Sequence, residues 1–272
     1  MRNIYILGDI HGSIKPIRDF YTLLNSSFNE NKRPSAEDLL ILVGDAGVNF
    51  YLDGRDITFK KKLGKYKFTY LIIRGNHEER ASNIADNTNW HYEAFGDNGE
   101  VLVENNFPYI KYAKDDPSCL TINGKNILIL PGAYSVDKYY RLQNNWSWFQ
   151  DEQLTEEEMY KGEVLAREKK HWDLILSHTC PLSFQPVDLF ISAVDQSTVD
   201  NTMERWMESF ERDINYDLWC WGHYHANRVY PFIDGKVRVM LFNDMAINVN
   251  TFFKEHNIHQ SLIKINSYAT LV

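Results

Sequence analysis

The stretch Ile4-Tyr5-Ile6-Leu7-Gly8-Asp9-Ile10-His11-Gly12 joins a short apolar run to a charged turn. The run reads as a β-strand from Asn3 to Leu7, and glycine permits the sharp bend after it. Asp9 and His11, two residues apart, can then project the same way from that turn and form a ligand pair. The same arrangement recurs downstream, where the strand-like run Asp38 to Val43 ends in Gly44-Asp45 and Phe68 to Ile73 ends in Gly75-Asn76-His77-Glu78. Helical patterns over Ser13 to Leu24 and Asp56 to Leu63 separate the three runs. This alternation predicts parallel pairing, with helices packed on the sheet and three polar motifs gathered at one edge.

Beyond Val101 the spacing changes to closely set strands. Cys119 to Ile122 and Asn126 to Leu130 flank the hairpin signal Asn123-Gly124. A helix is expected from about Asp151, its acids early and its bases late, as the helix dipole favours. Further strands are expected at Asp173 to Leu176, Tyr216 to Trp221, Arg228 to Pro231 and Val237 to Phe242. The expected fold class is α/β with mixed α+β character: two mixed sheets packed as a sandwich and flanked by helices. Residues 1–272 read as one domain, with 179–213 as a cap or specificity segment between the fourth and fifth motifs.

Two later motifs complete the set, because Ser177-His178 ends the strand beginning near Asp173 and Gly222-His223-Tyr224-His225 ends the one through Trp221. Taken singly, each has a plain structural reading, since Gly-Asp punctuates turns and a histidine after a strand is usually a satisfied surface or core residue. Five in this order, each at a strand end, make a mixed imidazole, carboxylate and amide donor set suited to divalent transition metals. Two cations roughly 3.5 to 4 Å apart can activate a water between them and clamp the oxygens of a phosphoryl group.

The order GD-x-HG, GD, GNH, H and GH-x-H, running from Gly8 to His225, resembles the calcineurin-like metallophosphoesterase family. The resemblance implies one metal held by Asp9, His11, Asp45 and His225 and another held by Asp45, Asn76, His178 and His223, with Asp45 as the bridge. It also implies His77 as the catalytic histidine. Manganese is the expected metal pair, with iron, zinc or nickel as alternatives, and the expected activity is hydrolysis of a phosphate mono- or diester of a small or nucleotide alcohol. Ile72-Ile73-Arg74-Gly75-Asn76-His77-Glu78 is similar to the LRGNHE run of protein Ser/Thr phosphatases, but those enzymes carry GD-x-x-DRG where this chain has Val48 and Asn49. Protein phosphatase is therefore an alternative, as are a nuclease and a metal-binding interaction module. Glu78 is the candidate by sequence to orient His77; Arg74, Arg80, Lys138 and Arg141 are candidates to bind the substrate phosphate. The segment from Gly132 to Arg141 leads into Trp146, Trp148 and Phe149, a cluster that could stack a base or aromatic leaving group or pack in the core under a long loop, the second being the expectation for the tryptophans.

Composition narrows the remaining classes. A net charge of -8 over 272 residues disfavours a nucleic-acid partner without excluding one as substrate. Three widely spaced cysteines give neither a disulfide framework nor a CxxC metal site, and the cytoplasm is the expected compartment. No run approaches the roughly 18 apolar residues of a membrane span. Ser177 and His178 are adjacent on a strand and point apart, which removes a nucleophile-base pair. The sequence does not fix the oligomeric state.

Overall fold

The computed structural model describes residues 1–26, 33–190, 192, 194–232 and 234–265. Strand and helix alternate first: β1 (Ile4–Leu7), α1 (Ile14–Asn25), β2 (Leu39–Val43), α2 (Gly54–Leu63) and β3 (Thr69–Ile73). The short α3 (Ala81–Ile84) leads to β4 (Trp90–Ala94), β5 (Glu100–Glu104) and β6 (Ile110–Tyr112), and then to the hairpin β7 (Ser118–Ile122) and β8 (Lys125–Leu130). Next come α4 (Lys138–Gln143), α5 (Glu156–Glu168), β9 (Trp172–Ser177), α6 (Thr202–Glu211) and β10 (Tyr216–Trp221). The chain continues through β11 (Arg228–Val229), β12 (Val237–Met240), β13 (Met245–Asn248), α7 (Val249–Glu255), α8 (Ile258–Ser261) and β14 (Leu262–Lys264).

Two mixed sheets result, as expected, and the first holds the parallel pairing that the alternation predicts. One runs β14-β13-β1-β2-β3-β6-β5-β4 and the other β11-β12-β10-β9-β8-β7. At the centre of the first, Ile4 pairs with Leu39 and Leu39 with Thr69, all parallel. Side chains alternate between two cores, as the two-residue strand period requires. Ile4, Ile6, Leu39, Ile41, Val43, Leu71 and Ile73 face Ile127, Ile129, Leu174, Leu176 and Leu218 of the other sheet. Tyr5, Leu7, Leu40, Leu42, Tyr70 and Ile72 face outward onto Ile17 and Phe20 of α1 and Phe59 and Leu63 of α2. A third core lies outside the second sheet, where Trp219 and Trp221 meet Met203, Met207 and Phe210 of α6. Burial on both faces explains why the central strands are continuously apolar.

Several expected boundaries move, each for a local reason. The helix expected from Asp151 begins at Glu156, because Thr155 and Glu158 form a reciprocal capping box. The ladder of β11 ends with Tyr230 N–H donating to Arg238 O (3.0 Å), one residue before Pro231, which has no N–H to continue it. The strand expected to reach Phe242 stops at Met240, and Phe242 N–H turns to Asn227 Oδ1 at 2.7 Å. The strands β4, β13 and β14 were not expected. β4 is an edge strand with three of its five residues exposed, and β14 is three residues long, so neither carries an apolar period of its own. Of the aromatic segment expected in the core, Phe149 is buried, but Trp146 is 55% exposed and packs edge-on against Tyr140.

Candidate metal centre

The ends of β1, β2 and β3 in one sheet meet the ends of β9 and β10 in the other, and each strand hands its polar motif to the same place. His11, Asp45, His223 and His225 all take left-handed backbone conformations (φ +44°, +47°, +70° and +51°). Such conformations are disfavoured for residues with a side chain, and they persist where surrounding structure overdetermines them. Here the first two motifs are laced together, with His11 N–H donating to Asp45 O at 2.8 Å and Gly12 N–H to Ala46 O at 2.9 Å. Two glycines are required by close approach. A Cβ at Gly44 would lie 1.9 Å from His178 Nδ1, and one at Gly75 would lie 2.1 Å from Asp45 Oδ1.

The seven residues expected as ligands are brought together. His11 Nε2 lies 2.8 Å from His225 Nε2 and 4.0 Å from Asp45 Oδ2. Opposite them, Asn76 Oδ1 lies 2.9 Å from His178 Nε2 and 3.1 Å from His223 Nδ1, while Asp45 Oδ1 is 3.4 Å from His178 Nε2. Asp45 thus faces both groups. Ligand-capable atoms of His11, Asp45 and His77, and of Asp9, Asp45 and His178, lie within 4.8 Å of one another.

The supporting bonds fit these residues to cations. His178 Nδ1 donates to Val43 O at 2.8 Å, which leaves Nε2 with the lone pair a metal needs. Asn76 Nδ2 donates to Ser135 Oγ at 2.9 Å, so its amide oxygen turns inward. Ser135 is in turn held by Glu152, whose Oε1 accepts its N–H at 2.9 Å. Both carboxylate oxygens of Asp9 accept His223 N–H at 3.0 Å. Ser135 and Glu152 were missed from the sequence; the only signal was that Ser135 follows a strand end in the segment from Gly132.

Protons hold the place of cations in the metal-free chain. Burial, with the charge of Asp45, pushes Asp9 up to about 7 against the pull of His178. Burial opposes a charged His178, yet the Asp45 and Asp9 carboxylates outweigh it and raise the imidazole to about 9. Burial keeps His11, His223 and His225 neutral by pushing each one down. Metal ligands must be deprotonated, so binding releases the protons of His178 and Asp9. Apparent manganese affinity is therefore expected to rise as pH increases from 6 to 8, with proton release visible by calorimetry in buffers of different ionisation enthalpy. A flat affinity across that range would contradict the assignment of these two groups.

Around this centre the other candidates separate. His77 N–H donates to Asp45 Oδ1 at 2.9 Å, and its ring stacks on Phe50 with centroids 5.8 Å apart. Arg141 is 1% exposed; its Nη2 meets the edge of the His77 ring, in contact with Nε2 and 2.7 Å from Nδ1, and its Nε donates to Asp137 Oδ2 at 2.8 Å. A guanidinium only donates, so His77 accepts and is neutral, which agrees with a pKa that burial first, then Arg141, lowers to about 4.

Glu78 does not reach the ring of His77. It is buried and accepts from Gly47 N–H at 2.9 Å and Gly75 N–H at 3.3 Å, stapling the second motif to the third. Arg74 and Arg80 leave the candidate substrate set, because each guanidinium is used by the loop before α5. Arg74 donates to Glu152 O at 2.7 Å, and Arg80 donates to Asp151 O at 3.2 Å and pairs with Glu158. Lys138 Nζ sits 4.2 Å from the ring centroid of Trp148. Asn49, standing where the protein phosphatases carry an Arg, is 2% exposed.

A sequence model of calcineurin-like phosphoesterases matches residues 2–227. Among solved structures, TT1561 of Thermus thermophilus aligns over 97% of this chain and 99% of its own at 10% identity, with a TM-score of 0.51, and so shares the fold. A phosphopantetheinyl hydrolase from Mycobacterium tuberculosis aligns over 99% and 98% of the two chains at 14% identity, TM-score 0.45. A dimetal phosphatase from Danio rerio aligns over 90% and 94% at 10% identity, TM-score 0.47. No curated protein sequence matches the chain.

Proposed function

The chain belongs to the calcineurin-like phosphoesterase family and is a metallophosphoesterase, and from that premise we propose that it hydrolyses a phosphate monoester of a small or nucleotide alcohol. Asp9, His11, Asp45 and His225 would hold one divalent cation, and Asp45, Asn76, His178 and His223 the other. When bound, the pair supplies Lewis-acid charge that activates water and screens the phosphoryl oxygens. Manganese is the proposed metal, with iron, zinc or nickel as alternatives that the same N/O donor set accepts.

The chain's own groups do the rest. Water oxygen bonds to phosphorus as the ester P–O bond breaks, and the alcohol leaves with a proton. Arg141 donates to the phosphoryl oxygens and is held there by Asp137. His77, neutral and seated on Phe50, positions an oxygen of the reacting group by hydrogen bonding. Asn76, fixed by Ser135, and His178, fixed by Val43 O, keep the donor set from reorganising.

The observation that favours a monoester over a diester is Arg141, a buried guanidinium directed at His77 beside the cation sites. A monoester brings a second negative charge, and a desolvated guanidinium offsets it. The three free cysteines support a reducing compartment, the cytoplasm. No helix among the described residues is long and apolar enough to cross a membrane.

The test is to strip the protein with chelator, restore manganese, and follow p-nitrophenyl phosphate against bis-p-nitrophenyl phosphate. Manganese-dependent turnover with the monoester preferred is expected. Preference for the diester would overturn the monoester reading, and undiminished turnover without metal would overturn the mechanism.

A further inference from the structure

Between β9 and β10, helix α6 packs on the third core, and Gln185, Leu189, Phe190, Val199 and Glu204 line a pocket of about 170 Å³. His223 and His225 form one wall, so the pocket opens on the proposed cation sites. Its size is close to a cavity that holds a single aromatic ring. Tyr134, Phe190 and Tyr224 supply ring faces, and Val136, Leu189 and Val199 supply aliphatic ones.

The polar part of the lining has one sign. Glu204 and Asp200 line the pocket, with the amides of Gln185 and Asn201, and no lining residue is Lys or Arg among those described. Glu204 is 3% exposed. Its Oε1 accepts from Thr179 Oγ1, whereas Oε2 is buried with no hydrogen-bond partner among the described residues. A buried acceptor without a donor is costly unless a ligand provides one. The floor is otherwise satisfied, since Thr179 and Gln185 both reach the Tyr224 hydroxyl, at 3.0 and 3.4 Å.

Resting on the monoester reading, we propose that this pocket receives the leaving alcohol of the ester, and that the alcohol carries a compact aromatic ring with an N–H donor and no negative charge. The donor bonds Glu204 Oε2 while the ring packs on Phe190 or Tyr134. A leaving group bearing a carboxylate or a further phosphate meets Glu204 and Asp200 with no lining Lys or Arg to offset them, so the pocket disfavours it.

Three esters of one scaffold separate these terms: 4-aminobenzyl, benzyl and 4-carboxybenzyl phosphate, assayed with the manganese-loaded full chain. The expected order of kcat/KM is amino, then unsubstituted, then carboxyl, spanning at least about tenfold. Glu204→Gln keeps the acceptor for Thr179 and should narrow that span severalfold. Val199→Phe, which fills part of the pocket, should slow all three esters more than it slows glycerol phosphate. A carboxyl ester turned over as fast as the amino ester, or a span unchanged in Glu204→Gln, would overturn the proposal.

Binding of the three product alcohols to the chelator-treated chain, read by saturation-transfer NMR, tests the pocket without catalysis. The amino alcohol should bind and the carboxyl alcohol should not. If no ester is hydrolysed yet this binding order holds, the hydrolytic reading fails and the pocket assignment stands; equal binding of all three overturns the pocket assignment.

Discussion

Replacing Asp45 by asparagine is expected to lower phosphomonoester turnover on the order of a thousandfold or more, the scale of several kcal/mol of transition-state charge stabilisation. One carboxylate stands between two groups of donors. Its Oδ1 is 3.4 Å from His178 Nε2 and its Oδ2 is 4.0 Å from His11 Nε2, so both proposed cation sites draw on the same charge. Burial would raise this carboxyl, but the charge and hydrogen bond of His178 outweigh burial and hold it well below the usual range, so it is ionised at any working pH. Asparagine keeps the shape and the acceptor for His77 N–H but removes the charge. Metal content after dialysis should fall from two equivalents to one or fewer. Alanine is the harsher variant, because it also removes the buried acceptor for His77 N–H at 2.9 Å. A folded Asp45→Asn chain that keeps two metals and turns over within tenfold of the parent would rule out the shared ligand.

Arg141→Ala is expected to lower kcat/KM for a monoester about a hundredfold, as loss of one preorganised donor to a developing charge does elsewhere. Manganese binding should be unchanged, because no metal ligand contacts the guanidinium other than through His77. Diester hydrolysis should fall less than monoester hydrolysis, and inhibition by inorganic phosphate should weaken in parallel. Arg141→Lys should not restore activity, since a point charge does not reproduce the planar fork that reaches Asp137 and the site together. A purely structural role would instead lower thermal stability and leave the monoester-to-diester ratio where it was. Unchanged phosphate inhibition with a change under threefold would remove Arg141 from the substrate site.

The order of motifs makes the centre legible in the sequence, because a metal site on this scaffold takes its donors from strand ends, and strand ends announce themselves. Ile4 to Leu7 running into Gly8-Asp9, and Leu39 to Val43 running into Gly44-Asp45, each carry the apolar run and the glycine that the turn needs. Edge strands are less visible. Trp90–Ala94 and Leu262–Lys264 exist because a neighbour offers free backbone groups, and no periodicity within five or three residues encodes a neighbour. Among the candidate phosphate binders, four cations look alike in sequence. Only packing separates Arg141 beside His77 from Arg74 and Arg80, whose guanidinium groups are taken up by main-chain carbonyls at the start of α5.

Sequence by itself therefore determined the parallel strands with their packed helices and the chemistry of the candidate donor set, since both follow from local patterns: alternation of strand and helix, and residue types fixed to turns; that two sheets pack face to face does not follow from strand spacing. Tertiary structure decided what supports and surrounds those donors. Glu78 staples two loops instead of orienting His77, Ser135 aims Asn76, and Glu204 keeps a buried oxygen without a hydrogen-bond partner among the described residues. These roles depend on pairs of residues tens of positions apart, brought into contact by the packing of two sheets and their helices, and no spacing along the chain specifies which carboxylate will face which partner.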